Sequence, residues 1–226
     1  DGKKVGAPGW ADMTVFSFHP VKPITTGEGG AIVTDNPELY ARLQLLRSHG
    51  IERSPDKLVA GTATDPWWYE QQVLGFNYRL CDIQAALGLS QLGRIQHFID
   101  RRREIAKSYD KALASTSNLK LVLADPAQRD RSGHHLYLVR IDFDAIGKTR
   151  AQVMSELKSR GIGTQVHYIP VYKQPYHAPN FPHGMQEFPA TESFYRECLT
   201  LPGFPTMDDA DIARVAREVK SVVAGG

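Results

Sequence analysis

Short apolar runs of four or five residues alternate along the chain with stretches whose apolar positions recur at three- and four-residue steps, the pattern of an α/β protein. Two strand-like runs, Val15–Phe18 and Ala31–Thr34, are followed by a helical stretch, Pro37–Arg47. There Asn36 can cap, Pro37 takes the first helical position, and Leu39, Leu43 and Leu46 share a face. Residues 50–75 break the pattern: without periodicity, and with two prolines and the adjacent Trp67 and Trp68, they predict a long irregular loop. From Asp82, read as an N-cap, the spacing of Leu92, Ile95, Phe98, Ile99, Ala106, Tyr109 and Leu113 predicts one long helix to about Ser115. Strand-like runs follow at 119–123, 134–142 and 163–170, with helices near Thr149–Arg160, about 191–198, and 208–224, the last capped by Asp208. The expected organisation is a first domain over 1–80, a connecting helix over 81–115 and a small α+β domain over 116–226.

Composition narrows the function classes. In 226 residues, Lys and Arg total 27 against 25 for Asp and Glu, so the formal charge of +2 gives no electrostatic case for nucleic acid. The run Arg101–Glu104 interrupts the apolar face of the predicted long helix, and a solvated helix face is its plainer reading. No run reaches the ~18 apolar residues of a membrane span, and no signal segment opens the chain. Two distant cysteines, Cys81 and Cys198, both in helical-looking patterns, suggest neither a disulfide framework nor a CxxC metal site, and fit a cytoplasmic setting. His134, His135, His167, His177 and His183 lack the paired short spacings of zinc ligands, so no metal is expected.

Candidate chemistry concentrates in "SFHPVKPITTGEGG". Lys22 follows a strand-like run by four residues, and Pro20 and Pro23 restrict the backbone around it, so its side chain is held rather than loose. Fixed geometry is what an amine needs to attack a carbonyl; a plain turn lysine is the competing reading. The Gly-rich run is no phosphate loop of the Walker type, because that pattern places a lysine after its second glycine, whereas Ala31 follows here.

The segment "FSFHPVKPITTGEGGAIVTDN" resembles the active-site stretch of the DegT/DnrJ/EryC1/StrS sugar aminotransferases, which act on nucleotide-linked keto sugars. "GFNYRLCDIQAALGLSQLGRI", "GIGTQVHYIPVYKQPYH" and "FPATESFYRECLTLPGFPTM" resemble further family segments in the family's order, so the resemblance covers nearly the whole chain. It implies the pyridoxal-phosphate-dependent type I (aspartate aminotransferase) fold, here a C-terminal portion: part of the large domain plus the small α+β domain. It also implies pyridoxal 5'-phosphate as cofactor, held covalently by Lys22, with Lys22 later moving the proton between cofactor and substrate carbon. Ser17 matches the serine that donates to the cofactor phosphate, and Asn77 the asparagine that reaches the phosphate in the neighbouring subunit, which makes a homodimer with shared active sites the expected assembly. Arg79, beside Asn77, is a candidate contact for substrate phosphates, with helix capping or a surface ion pair as the equal alternative, and His167 and Tyr168 are candidate contacts where the family's small domain faces the nucleotide. The implied substrate is a UDP-linked 4-keto-6-deoxy-N-acetylhexosamine, aminated at C4 with L-glutamate as donor, on the way to pseudaminic acid.

One departure accompanies the resemblance. The family's Asp for the pyridinium nitrogen, its stacking aromatic and its Gly-led phosphate loop all precede the lysine, and none is found here; Asp12 lies too close to Lys22 to serve. The chain is therefore expected to lack an N-terminal part, to bind the cofactor poorly by itself, and to leave apolar large-domain surface uncovered. Amination of another nucleotide keto sugar or at C3, and a non-catalytic fragment with a dimerisation or binding role, are the alternatives. A related dehydratase fits less well, since a histidine replaces the lysine there.

Overall fold

The computed structural model describes residues 2–60, 65–122, 125–181 and 184–224. It divides into two compact units, Asp1–Ile95 and Gln96–Gly226.

The first unit is a set of short antiparallel pairings. Strands β1 (Thr14–Ser17) and β2 (Gly30–Val33) pair with Ser17 opposite Gly30. A Cβ on Gly30 would lie 2.7 Å from the Phe16 carbonyl oxygen, so the two backbones come this close only at glycine. Helix α1 (Pro37–Arg47) begins where Asn36 Oδ1 accepts from the Glu38 and Leu39 amides at 2.9 and 3.1 Å. The expected irregular loop contains one short pairing, β3 (Ile51–Glu52) with β4 (Glu70–Gln71). Among the described residues of this unit no hydrophobic side chain is buried; Val15, Leu74, Ile83 and Leu89 all lie at its surface.

The predicted single helix from Asp82 is two helices, α2 (Asp82–Leu92) and α3 (Ile95–Leu113). Glycine costs about 1 kcal/mol in a helix interior, and at Gly93 the ladder gives way to a tighter turn, with the Arg94 amide bonding the Gln91 carbonyl at 3.0 Å. The N-cap of α2 is Cys81 rather than Asp82: the Cys81 amide donates to Gln84 Oε1 at 3.2 Å, which shifts the helix start by one residue.

The second unit holds the hydrophobic core. Strands β5 (Leu119–Leu121), β6 (Tyr137–Ile141) and β7 (Cys198–Leu201) form an antiparallel sheet in the order β5-β6-β7. Helix α4 (Pro126–Arg131) lies between the first two strands in sequence. Strand β6 alternates: Tyr137, Val139 and Ile141 are buried, while Arg140 reaches Glu197 and Ser193 of α7 (Pro189–Glu197), which follows the short α6 (Gly184–Glu187). The core joins Ile105, Tyr109 and Leu113 of α3 to Val153 and Leu157 of α5 (Arg150–Ser159) and to Val215, Val219 and Val222 of α8 (Asp209–Val223). Asp208 caps α8 as expected, accepting from the Asp211 amide at 2.7 Å.

Four expectations shift here. The helix predicted over 191–198 stops at Glu197, and Cys198–Leu201 is a fully buried strand, because the apolar run "CLTL" is spent on the sheet. The strand predicted over 134–142 is confined to 137–141, since His134 takes a left-handed conformation at φ 42°. The run 163–170 forms no strand but a single bridge, Gln165 with Thr200. The strand expected over 119–123 ends at Leu121, and Leu123 lies outside the described residues.

Arg102, read from sequence as part of a solvated face, is 6% exposed. Its Nη1 lies within bonding distance of the His134, His135 and Gly203 carbonyls, and burial pushes its guanidinium below the usual arginine range. Removing it strands those carbonyls, so Arg102→Met is expected to cost ~2–4 kcal/mol in urea unfolding; a loss under about 0.5 kcal/mol would show that water replaces it freely.

Residues 165–174 are fastened at both ends. Upstream, Thr200 and Gln165 exchange both backbone hydrogen bonds, at 2.8 and 3.2 Å; downstream, Tyr172 Oη and Lys173 Nζ each donate to Glu192 at 2.7 Å. Lys173 and then the Tyr172 hydroxyl hold the Glu192 carboxyl below its usual 4.5. Between that depressed value and 4.5 the unfolded chain binds more protons, so the stability Glu192 adds is complete above pH 4.5 and lost as pH falls through the folded value. The gap in Tm between wild type and Glu192→Gln should therefore be constant near neutrality and close below pH 4.5; a gap that persists undiminished into stronger acid contradicts this.

Candidate active site

The loop 18–29 joins β1 to β2 and carries Lys22. Its backbone folds back on Phe18: the Phe18 amide donates to the Gly29 carbonyl at 2.9 Å, and the Phe18 carbonyl accepts from the Thr26 amide at 3.0 Å and the Thr25 hydroxyl at 2.9 Å. Within it, the Lys22 amide donates to the His19 carbonyl at 2.9 Å, closing a turn over Pro20 and Val21 that leaves Lys22 half-buried. Gly27 and Gly29 take φ of 80° and 150°, conformations that the loop reversal requires and other residues avoid.

Thr26 is the anchor. It is 4% exposed, its hydroxyl donates to the Glu28 carbonyl at 2.7 Å, and its methyl group sits where a Cβ on Gly88 of α2 would fall, 2.9 Å away. Gln84, three residues past the α2 cap, donates from Nε2 to the same Glu28 carbonyl at 2.9 Å while its Oε1 accepts from Cys81. One side chain thus starts the helix and fastens the lysine loop to it.

Ser17 ends β1 on the exposed side of the strand, its Oγ 3.4 Å from the His19 amide. The amide can only donate, so the hydroxyl accepts and keeps its own hydrogen for another acceptor. Asn77 and Arg79 lie two apart on an exposed segment held against the end of α1: the Phe76 amide donates to Leu46 at 2.7 Å, the His49 amide to Phe76 at 2.8 Å, and the Tyr78 amide to Arg47 at 2.9 Å. Gly50 and Gly75 permit this crossing, since a Cβ on Gly75 would lie 2.2 Å from the Gly50 nitrogen. The segment continues into Leu80, whose side chain occupies the space beside Gly29, so the stretch with Asn77 and Arg79 leads directly to the lysine loop.

His167 and Tyr168 belong to the second unit. His167 Nδ1 is 2.8 Å from the Thr200 hydroxyl, and the Tyr168 ring stands edge-on to the imidazole at 4.5 Å, itself exposed. His134 Nε2 lies 2.9 Å from the Arg129 carbonyl, and the His177 ring meets Tyr176. His183 lies outside the described residues. Thr25, Thr26, Gln84 and Thr200 were not singled out by sequence reasoning. The doubled threonine before the glycines and the Gln three residues after the cap were the signals for the first three; nothing local marks Thr200.

The donor set of the lysine loop suits a group bearing a carbonyl and a phosphate: a primary amine on a backbone-fixed turn, and, five residues before it, a hydroxyl with its hydrogen to give.

The chain is 36% identical over 217 residues to the spore coat polysaccharide biosynthesis protein SpsC of Bacillus subtilis, covering 95% of the chain and 54% of that protein. Its fold matches PseC of Helicobacter pylori, an aminotransferase involved in the biosynthesis of pseudoaminic acid, with a TM-score of 0.82, 32% identity, and 99% of this chain against 56% of that one. It matches Spr1654 of Streptococcus pneumoniae in its PLP form with a TM-score of 0.80, 29% identity, and 99% against 54%. The chain spans little more than half the length of these relatives and corresponds to a C-terminal portion of the type I aminotransferase fold. Residues 1–220 match the DegT/DnrJ/EryC1/StrS aminotransferase family, a family of PLP-dependent sugar aminotransferases, and the chain belongs to it.

Proposed function

We propose that this chain carries the lysine-bearing part of an aminotransferase acting on a UDP-linked 4-keto-6-deoxy-N-acetylhexosamine at C4, with L-glutamate as amino donor, in a route to pseudaminic acid. The observation that carries the reading is the lysine loop, in which Lys22 is held on a turn clasped to α2 through Thr26 and Gln84. Likeness to PseC, an aminotransferase involved in the biosynthesis of pseudoaminic acid, supports the pseudaminic acid route.

Bound pyridoxal phosphate would supply the electron sink that lets an amino group leave the donor carbon and appear on the sugar carbon. Lys22 is the residue to hold that cofactor through Nζ. Its amine, once released, is the base that takes a proton from the donor α-carbon and returns one to C4 of the sugar. Ser17 donates its hydroxyl hydrogen to the phosphate, and Asn77 reaches the phosphate of a second copy's cofactor. Arg79 meets the anionic substrate, and His167 and Tyr168 meet its nucleotide. The exposed Val15, Leu74, Ile83 and Leu89 favour burial against other protein surface, which a homodimer would provide, and the setting proposed is the cytoplasm.

The test is amination by the intact protein of a panel of UDP- and TDP-linked 4-keto sugars with L-glutamate. The UDP-linked 4-keto-6-deoxy-N-acetylhexosamine should give the C4 amine at the highest kcat/KM, and preference for a TDP sugar or for C3 amination would displace the assignment. Lys22→Ala should lower kcat by ~10²–10⁴-fold or more, whereas Ser17→Ala should chiefly weaken cofactor affinity, by roughly tenfold. An alanine variant at position 22 that turns over normally would remove Lys22 from the chemistry.

A further inference from the structure

Lys22 ends a four-residue turn, 19–22, which its own amide closes by donating to the His19 carbonyl at 2.9 Å over Pro20 and Val21. The first position of such a turn usually holds Asp, Asn or Ser, whose side chain accepts from the amide two residues on. Here a histidine does so: the Val21 amide donates to His19 Nδ1 at 3.4 Å. An amide has only a hydrogen to give, so Nδ1 is the bare nitrogen and the neutral ring carries its hydrogen on Nε2. That nitrogen stands 3.9 Å from the Glu28 carboxylate, whose negative charge favours a hydrogen there. The His19 amide meanwhile donates to Ser17 Oγ at 3.4 Å. One residue thus meets the Ser17 hydroxyl, the Lys22 backbone and the return leg of the loop.

We propose that His19 is a positioning residue for Lys22. Its ring takes the place of the usual Asn at the head of the turn and, being longer, spans from the Val21 amide toward Glu28, so that Lys22 leaves the loop at a set place. Pro20 has no amide hydrogen, which leaves Val21 as the one amide inside the turn for the ring to hold. Glu28 is also the residue whose carbonyl accepts from Thr26 and Gln84, so the ring faces a point of the loop already fastened to α2. The His19 side chain is 50% exposed, and water competes for the same amide, so its loss should cost precision of placement rather than fold. This inference rests on the reading of Lys22 as the base, and the two are separable by experiment.

Amide hydrogen exchange of the cofactor-free intact protein, read by mass spectrometry on peptides within 18–29, reports the turn independently of turnover. Exchange there should be about 3–10-fold faster in His19→Ala than in wild type, while His19→Asn, which keeps an acceptor at the place of Nδ1, should stay close to wild type. Equal exchange in wild type and His19→Ala overturns the inference. Turnover reads the consequence. In His19→Ala, kcat should fall about 3–10-fold with KM for the nucleotide sugar unchanged, and His19→Asn should recover most of that loss. Faster exchange with unchanged kcat, a loss confined to KM, or a loss that Asn leaves in full would each overturn the positioning role. Faster exchange in His19→Ala alongside normal turnover by Lys22→Ala supports the hold on the turn and instead removes Lys22 from the chemistry. Melting temperatures of each variant, with exchange in the β7 peptide, establish that a loosened turn is not a lost fold.

Discussion

The Phe18 carbonyl accepts from two consecutive threonines, the Thr26 amide and the Thr25 hydroxyl, and on this double bond the candidate site of the first unit depends. It turns a loop between two four-residue strands into a closed ring of backbone from which Lys22 projects at a set place. In a unit where no described hydrophobic side chain is buried, such polar closure takes the role that a core has elsewhere. Glycine makes the closure possible: Gly27 and Gly29 adopt conformations that a side chain would strain, and Gly30 lets β2 pass close to Phe16.

The same economy recurs at α2. Gln84 both completes the helix cap and fastens the Glu28 carbonyl, and Gly88, one turn further on, makes room for the buried Thr26. Orientation of the amine is therefore a property of loop and helix jointly. A base has to be placed within a fraction of an ångström of the proton it moves, and a lysine on an unclasped loop would lose that placement long before it lost its chemistry. In the second unit the arrangement is inverted: a hydrophobic sheet-and-helix core supplies rigidity, and a few polar bonds from its buried strand and from α7 hold the exposed segment with His167 and Tyr168.

How much of this could be read from the residues divides along physical lines. Local signals were legible: the Asn36 and Asp208 caps, the α1 and α8 periodicities, and the fixed setting of Lys22 between two prolines. Long-range pairing was not. The run "CLTL" continues helical spacing from α7, and only its partner β6 makes it a strand; "GTQVHYIP" looks like a strand and makes a single bridge, because β7 meets it at one residue. Arg102 reads as one more surface charge in a basic run, and its burial follows from carbonyls distant in sequence that converge on it. Thr200 likewise has no local mark, since its partner lies across the fold. Cofactor and substrate class came from motif resemblance rather than from periodicity.

The account stands or falls on Lys22 as the residue that bonds pyridoxal phosphate. Borohydride reduction of the cofactor-loaded intact protein, followed by peptide mass mapping, tests this in one measurement. The phosphopyridoxyl group should be found on the peptide containing "SFHPVKPITTGEGG", at Lys22. A stable adduct on another lysine, or none at all in a protein that binds the cofactor and turns over, would contradict it.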